Sequence, residues 1–333
     1  MKLSVIVVAY NEVEYIDMAL NSIIEQKGIF DYEIIIGDDG SNDGTLDKIM
    51  CWQRRYPNFI QYFVMDRPET NKDVIASIRA SNIIKKAIHV AQGDYISFLA
   101  GDDYYIDNFF FSEHIKMLES YKNRDCSGCM CDYQKYWNDK HIEIIHCPHN
   151  NESKLKASVF WGGHMYVHLS TFVFRNVFKS TNFYPDDMNF IDDIGMEFLM
   201  GQYGDFCYLP IVMFCYRQRE GSIMDKNDPN DNLLCSMLLY TDIRRNHLNK
   251  HRISSYSRIA GSVKKLLKER QTLVADKYEK YFNISQFNSY SFNRLVLRGN
   301  AKLIDIFICW LKVVFLYFCY APYRLIYLLK YKK

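Results

Sequence analysis

Asp102 and Asp103 follow closely on a short apolar run, Tyr95 to Leu99. Two earlier apolar runs end in the same way: Leu3 to Ala9 runs into Tyr10, Asn11 and Glu12, and Tyr32 to Ile36 runs into Asp38 and Asp39. An aspartate accepts hydrogen bonds from a nucleobase N–H or a ribose hydroxyl, which suits Asp39 and Asp102. Mg2+ or Mn2+ prefers hard oxygen ligands, often one or two carboxylates completed by substrate phosphates, which suits Asp103 beside Asp102. Such a metal stabilises charge developing on a departing diphosphate. A further carboxylate across the reacting centre could take the proton of an attacking hydroxyl. Asp193, next to Asp192, is the candidate for that task, although the sequence is equally consistent with a carboxylate at a helix N-terminus. Turn and capping roles explain any one of the first three clusters, but explaining all of them requires the same coincidence three times.

These residues need elements that bring them to one edge. Leu3 to Ala9 is apolar and rich in β-branched residues, as expected of a parallel strand buried on both faces. Helical spacing follows over Asn11 to Ile24, with Ile16, Leu20, Ile23 and Ile24 on one side. Further strands are expected at Tyr32–Ile36, Phe59–Val64 and Tyr95–Leu99, and helices at Thr45–Arg55 and Ile75–Val90. Strands alternating with helices imply right-handed crossovers and a mainly parallel α/β sheet flanked by helices. Ligands of such sheets bind beyond the carboxyl ends of the strands, where the three clusters lie. Downstream, the pattern predicts a helix at Phe109–Tyr121 and strands at Gly128–Trp137 and His168–Phe174. It then predicts a helix at Asp192–Gln202 and a strand at Phe206–Tyr216, before charged helices over 227–300.

The segments LSVIVVAYNE, DYEIIIGDDGSNDGT, AQGDYISFLAGDDYY, IDDIGMEF and YRQREGSIM stand in the order and approximate spacing of glycosyltransferase family 2, which the chain resembles over about residues 1–225. The resemblance implies a catalytic domain of the GT-A type, a nucleoside-diphosphate sugar donor (a UDP-sugar fits best), a divalent metal and inversion by direct displacement. It implies nucleoside contacts at Ala9, Asn11, Glu12 and Asp39, donor and metal contacts at Asp102 and Asp103, and the base at Asp193. The sequence also departs from the pattern. Ala100 and Gly101 stand where the family often has Asp and a spacer, which leaves Asp102 and Asp103 as the metal pair. The Arg-Asn-x-Gly helix segment is missing, so Arg79 and Lys72 are the candidates for approaching the diphosphate. Arg219 replaces a late His, and its forked guanidinium could hold a phosphate or cover an aromatic face. Two rival functions stay open at this stage. A sugar nucleotidyltransferase would normally show a Gly-rich basic phosphate loop near its first strand, and Val7 to Asn11 is not one. A catalytically silent glycan- or nucleotide-binding scaffold is the non-enzyme alternative.

Lys and Arg number 41 against 39 Asp and Glu, so no global field points to nucleic acid. The charge is local: residues 301–333 carry six basic side chains against Asp305 alone. Within them Ile306 to Tyr323 is uncharged except for Lys312 and includes Trp310, Phe315, Tyr317, Phe318, Tyr320 and Tyr323. The central Lys312 and the late Pro322 disfavour a simple span, so this tail is expected to lie in the headgroup layer of an anionic membrane. The expected organisation is a catalytic domain over 1–225, a helical extension over 226–300 and a membrane-associating tail over 301–333. With no secretory leader legible, the expected location is the cytoplasmic, inner face of the membrane, with a glycan or lipid-linked acceptor. The ten cysteines lack framework spacing and read as reduced thiols. Cys126, Cys129 and Cys131 with His141, His146, Cys147 and His149 suggest zinc, but no second tight ligand pair completes a site. His164 and His168, near Trp161, fit either an acceptor pocket or a structural role.

Overall fold

The first strand, β1 (Lys2–Ala9), is buried along most of its length, so the near-continuous apolar run has both faces covered. It pairs in parallel with β2 (Asp31–Asp38) on one side and β4 (Tyr95–Ala100) on the other, and β3 (Ile60–Val64) extends the parallel half beyond β2. Helices α1 (Ile16–Ile24) and α2 (Thr45–Arg55) connect β1 to β2 and β2 to β3, and α3 (Ala76–Val90) precedes β4. Leu3, Val5 and Val7 share one core with Ile16, Leu20 and Ile23 of α1 and Ile49 of α2. Helix α3 packs on β1 and β2 so tightly that a Cβ at Gly37 would stand 2.2 Å from Ile83 Cγ2. The strand order β3-β2-β1-β4 reverses direction at β1, which opens a crevice between the carboxyl ends of β1 and β4.

The structure is a computed structural model that describes residues 2–28, 31–66, 76–121, 125–137, 141–147, 152–157, 167–179, 188, 190–219 and 235. Beyond β4 come the two-residue strand β5 (Tyr104–Tyr105), helix α4 (Phe110–Ser120), the long β6 (Cys126–Trp137), β7 (His141–Ile145) and β8 (Lys154–Leu155). Then follow β9 (Phe172–Arg175), α5 (Asp193–Met200) and β10 (Asp205–Gln218). The ten-stranded sheet continues β4-β9-β6-β10-β5: β9 is antiparallel to both neighbours, β10 is parallel to β6, and β7 and β8 pair with β6 and β10. The architecture is therefore α/β with a parallel half and a mixed half.

Two expected elements differ. The helix expected from Asn11 begins only at Ile16. Asn11 has φ 53°, a left-handed conformation that Asn tolerates, and the N–H groups of Asn11 and Val13 donate to Ser41 Oγ and Asp43 Oδ2 instead of entering a helix. The strand expected from His168 begins at Phe172. His168 accepts from the Ser170 N–H and from the Thr171 hydroxyl, and these local bonds close a 3-10 turn, Leu169–Thr171. The chain divides into two units, Met1–Lys226 and Asn227–Lys333, and of the second only Cys235 is among the described residues. The expected helical extension and membrane tail thus lie outside them, and among the described residues no helix is long and apolar enough to cross a membrane.

Candidate active site

Main-chain bonds tie the three strand ends together. The Asp39 N–H donates to Ala9 O at 2.9 Å, and the Gly101 N–H donates to Val8 O at 2.9 Å. Asn11 joins the first two loops: its N–H donates to Ser41 Oγ, and its Oδ1 accepts from the Asn42 N–H at 3.0 Å. Asp38 folds its carboxylate back onto the Gly40 and Ser41 N–H groups, shaping the turn. Asp39 is held differently. The Arg79 Nε lies 2.7 and 2.8 Å from its two oxygens and an Nη2 contact measures 2.6 Å, with both side chains 8% exposed. Arg79, expected near the diphosphate, is therefore paired with Asp39 and also donates to Asp66 O. Lys72 lies outside the described residues, and Lys85 reaches Met188 O at 3.3 Å.

Glu12 lies on the other side of β1, against the Asp102-Asp103 loop. A Cβ at Gly101 would stand 2.1 Å from Glu12 Oε2, so the Glu12 carboxylate lies directly against this loop. Glu12 is buried, and its Oε2 has no hydrogen-bond partner among the described residues. Burial, followed by the charges of Asp102 and Asp103, pushes its proton affinity well above the ordinary carboxylate range, against the pull of Arg219.

Strand β10 completes this wall. The antiparallel register of β5 and β10 pairs Cys215 with Tyr104, and continuing it sets Tyr216 opposite Asp103 and Arg217 opposite Asp102. The Arg217 N–H donates to Asp103 Oδ1 at 2.8 Å, and its Nε donates to Asp102 O at 2.9 Å. Arg219, two residues on and on the same face, contacts Asp102 Oδ2 at 2.9 Å and Glu12 Oε1 at 3.6 Å, with Tyr15 beneath it. Arg219 thus covers an aromatic face, and its guanidinium contacts the protein's own carboxylates.

Asp103 is 1% exposed, and its Oδ2 has no hydrogen-bond partner among the described residues. His168 Nε2 lies 3.8 Å from that oxygen. Burial, then Asp102, and to a smaller degree Asp193, drive the Asp103 proton affinity far up. His168 stacks among Tyr216, Phe214 and Tyr133, with ring centroids 4.6, 5.0 and 6.1 Å away. Burial lowers its pKa, opposed by Asp193 and Asp102. Asp193 opens α5, but the cap is its neighbour: Asp192 Oδ1 accepts from the Gly195 N–H at 2.8 Å. Asp192 rises to about 7 through burial and then through the charge of Asp193. The field of Asp193 is felt at Asp103, His168 and Tyr216, so one electrostatic environment joins the metal-competent pair to the candidate base.

A buried carboxylate oxygen lacking a donor, beside a second carboxylate, fits a hard divalent cation. Among the described residues no group of three or more His, Cys, Asp or Glu side chains forms a full cage. The remaining ligands would then be phosphate and water oxygens. The suspected zinc residues are used otherwise: Cys126, Cys129 and Cys131 line the core as free thiols, and His146 Nδ1 lies 2.7 Å from Asp132 Oδ2. Trp161, His164 and His149 lie outside the described residues. Sequence reasoning missed Arg217 and Tyr216. Both stand in the quoted YRQRE segment, but the register shifts of β10 near Leu209, Val212 and Phe214 hide which residues face the loop.

The sequence model of one family, glycosyl transferase family 2, matches residues 4–181. An uncharacterised protein of Mycobacterium bovis is 32% identical over 117 residues, covering 35% of this chain and 31% of that protein. The poly(ribitol-phosphate) beta-glucosyltransferase of Bacillus spizizenii is 34% identical over 105 residues, 31% of this chain and 15% of that enzyme. The matched stretches thus span less than a third of these relatives' own length. Among solved structures, residues 1–349 of S. aureus TarS in complex with UDP-GlcNAc superpose with a TM-score of 0.55 at 17% identity, over 90% of this chain and 79% of that one. That similarity establishes a shared fold.

Proposed function

The chain belongs to glycosyltransferase family 2, and on that premise we propose that it is an inverting transferase moving a sugar from a UDP-sugar to a hydroxyl of a glycan or lipid-linked acceptor. The observation carrying this reading is the buried Asp103, whose Oδ2 has no donor among the described residues, beside Asp102 and within the field of Asp193. Asp102 and Asp103 would hold Mn2+ or Mg2+, which supplies neutralisation of the charge growing on the diphosphate. Asp39 and Asn11, at the ends of β2 and β1, would line the nucleoside side with Ala9. Asp193 would take the acceptor proton as its oxygen attacks the anomeric carbon from the face opposite the diphosphate, inverting that centre. With Asp192 as the cap, Asp193 is not required in that role. Arg219 would exchange its contacts with Asp102 and Glu12 for a donor phosphate.

A uridine donor is supported by the UDP-GlcNAc of the TarS complex, and a polymeric acceptor by the poly(ribitol-phosphate) named for the Bacillus spizizenii relative, which would suit a role in surface polysaccharide biosynthesis. The tail over 301–333 would keep the enzyme on the cytoplasmic face of an anionic membrane, beside a lipid-linked acceptor. The test is a panel of nucleotide sugars with Mn2+ or Mg2+, followed by release of nucleoside diphosphate. One donor should be turned over in a metal-dependent way, and Asp103→Asn should abolish turnover. A variant retaining near-normal activity would remove the metal assignment, and a product retaining the anomeric configuration would exclude single displacement.

A further inference from the structure

Arg217 makes more contacts to the Asp102-Asp103 loop than any residue the sequence nominated. Its N–H donates to Asp103 Oδ1 at 2.8 Å, fixing one carboxylate oxygen while the other is left without a donor among the described residues. Its Nε donates to Asp102 O at 2.9 Å, fixing the main chain between the two carboxylates. The guanidinium is itself held: the rings of Tyr15, Tyr104 and Tyr136 have centroids 4.9, 5.4 and 5.8 Å from its Cζ, and Nη2 lies 3.2 Å from Met18 Sδ. A planar cation stacked by several rings loses little further entropy in forming directed bonds, which a flexible ammonium does not match. The contrast with Arg219 is one of function, since the Arg219 guanidinium binds carboxylate oxygens, the atoms a ligand would seek, whereas the Arg217 guanidinium binds a main-chain carbonyl, and its N–H engages only Asp103 Oδ1, leaving Oδ2 without a donor among the described residues.

We propose that Arg217 is a positioning residue that sets the Asp102-Asp103 pair for a divalent cation, acting through the loop and touching neither cation nor donor. The inference rests on the reading of that pair given above. Groups that orient metal ligands typically change metal affinity about 10–100-fold when removed.

The test is Mn2+ uptake in the presence of UDP, read from the electron paramagnetic resonance signal of free Mn2+, for the full chain and for Arg217→Met. Methionine keeps an apolar stem among the tyrosines and removes the Nε donor. The expected result is about 10–100-fold weaker Mn2+ binding, with UDP affinity in the absence of metal unchanged. The sign is diagnostic, because removing a positive charge beside two carboxylates would by itself tighten cation binding. Unchanged or tighter binding overturns the inference, as does a lowered melting temperature with unchanged Mn2+ uptake. Should Arg217→Met fail to fold, Arg217→Lys serves: it keeps the charge but not the fork, and wild-type Mn2+ uptake by that variant overturns the proposal. Wild-type protein that takes up no Mn2+ with UDP removes the reading of the metal pair itself, whereas normal uptake that Arg217→Met leaves unaltered removes the inference alone.

Discussion

Replacing Asp39 by Ala should perturb the fold and the donor site together, and the structure allows the two to be separated. Asp39 and Arg79 form a bidentate ion pair with both side chains 8% exposed. Removing one member of such a pair leaves the other charge buried, at a cost of roughly 3–5 kcal/mol, whereas replacing both by apolar residues of similar volume is often neutral. At about 2–4 °C per kcal/mol for a unit of this size, Asp39→Ala should lower the melting temperature by roughly 6–20 °C. Asp39→Leu combined with Arg79→Met should recover most of that loss. The ligand contribution follows a different rule: UDP at about 100 times its Kd stabilises the native state by about 2.7 kcal/mol. If Asp39 contacts the nucleoside, that increment is missing from the single variant and also from the double one. Urea denaturation with and without UDP and Mn2+ measures both quantities for all three proteins. Asp39→Ala unfolding at the wild-type urea concentration would refute the energetic role of the pair. Full UDP stabilisation of the double variant would refute the nucleoside contact.

Asp193→Asn should bind UDP and Mn2+ like the wild type while transfer falls by roughly 10²–10⁴-fold; if kinetics instead assign that loss to Asp192→Asn, the base is one residue earlier. Burial holds His114 neutral, with its pKa lowered to about 4 from an ordinary 6.5. The unfolded chain therefore takes up this proton first as pH falls, and stability decreases through the window from about 6.5 to 4. Between pH 7 and 4.5 the linkage is worth ~2.5 kcal/mol, so His114→Asn should lose that much less than wild type in urea titrations at the two pH values; equal losses would show that His114 titrates normally. Deleting residues 301–333 should abolish flotation with anionic vesicles, and equal flotation of truncated and full-length protein would remove the membrane-docking proposal.

The parallel half of the sheet was legible because each of its strands is a continuous apolar run bounded by turn residues, a pattern that doubly covered strands impose locally. The edge on which the clusters gather followed from the same alternation of strand and helix. What the sequence hid depends on bonds between segments far apart in the chain. Asn11 to Tyr15 has helical composition, yet Ser41 and Asp43 in the next loop take its N–H groups. Arg79 could be nominated for the diphosphate because nothing local announces its pairing with Asp39 across 40 residues. Arg217 was hidden by the irregular strand β10, where Pro210 and Ile211 are exposed and the register with β6 shifts, so parity counted from either end fails.

The placement of the carboxylates has its own physical logic. Glu12 and Asp103 are both buried, each leaves one oxygen without a donor among the described residues, and the charge of Asp102 raises the proton affinity of both. A core selected only for stability does not keep such a pair, since an unmatched buried carboxylate oxygen costs about 1–3 kcal/mol or more. Arg219 offsets part of that charge through Asp102 and Glu12, and the Arg217 N–H satisfies one Asp103 oxygen, but neither reaches Asp103 Oδ2. The remaining demand for positive charge is therefore concentrated at Glu12 Oε2 and Asp103 Oδ2, at the point where the sheet order reverses and ligands of such sheets bind. A cation arriving there with a diphosphate would relieve the repulsion and release Arg219 toward the phosphates, so metal and donor should bind with positive cooperativity. Titrating Mn2+ at fixed UDP and UDP at fixed Mn2+ should give the same coupling factor in both directions, as linkage requires. Independent binding of the two would show that the carboxylate pair is balanced within the protein and is not waiting for a ligand.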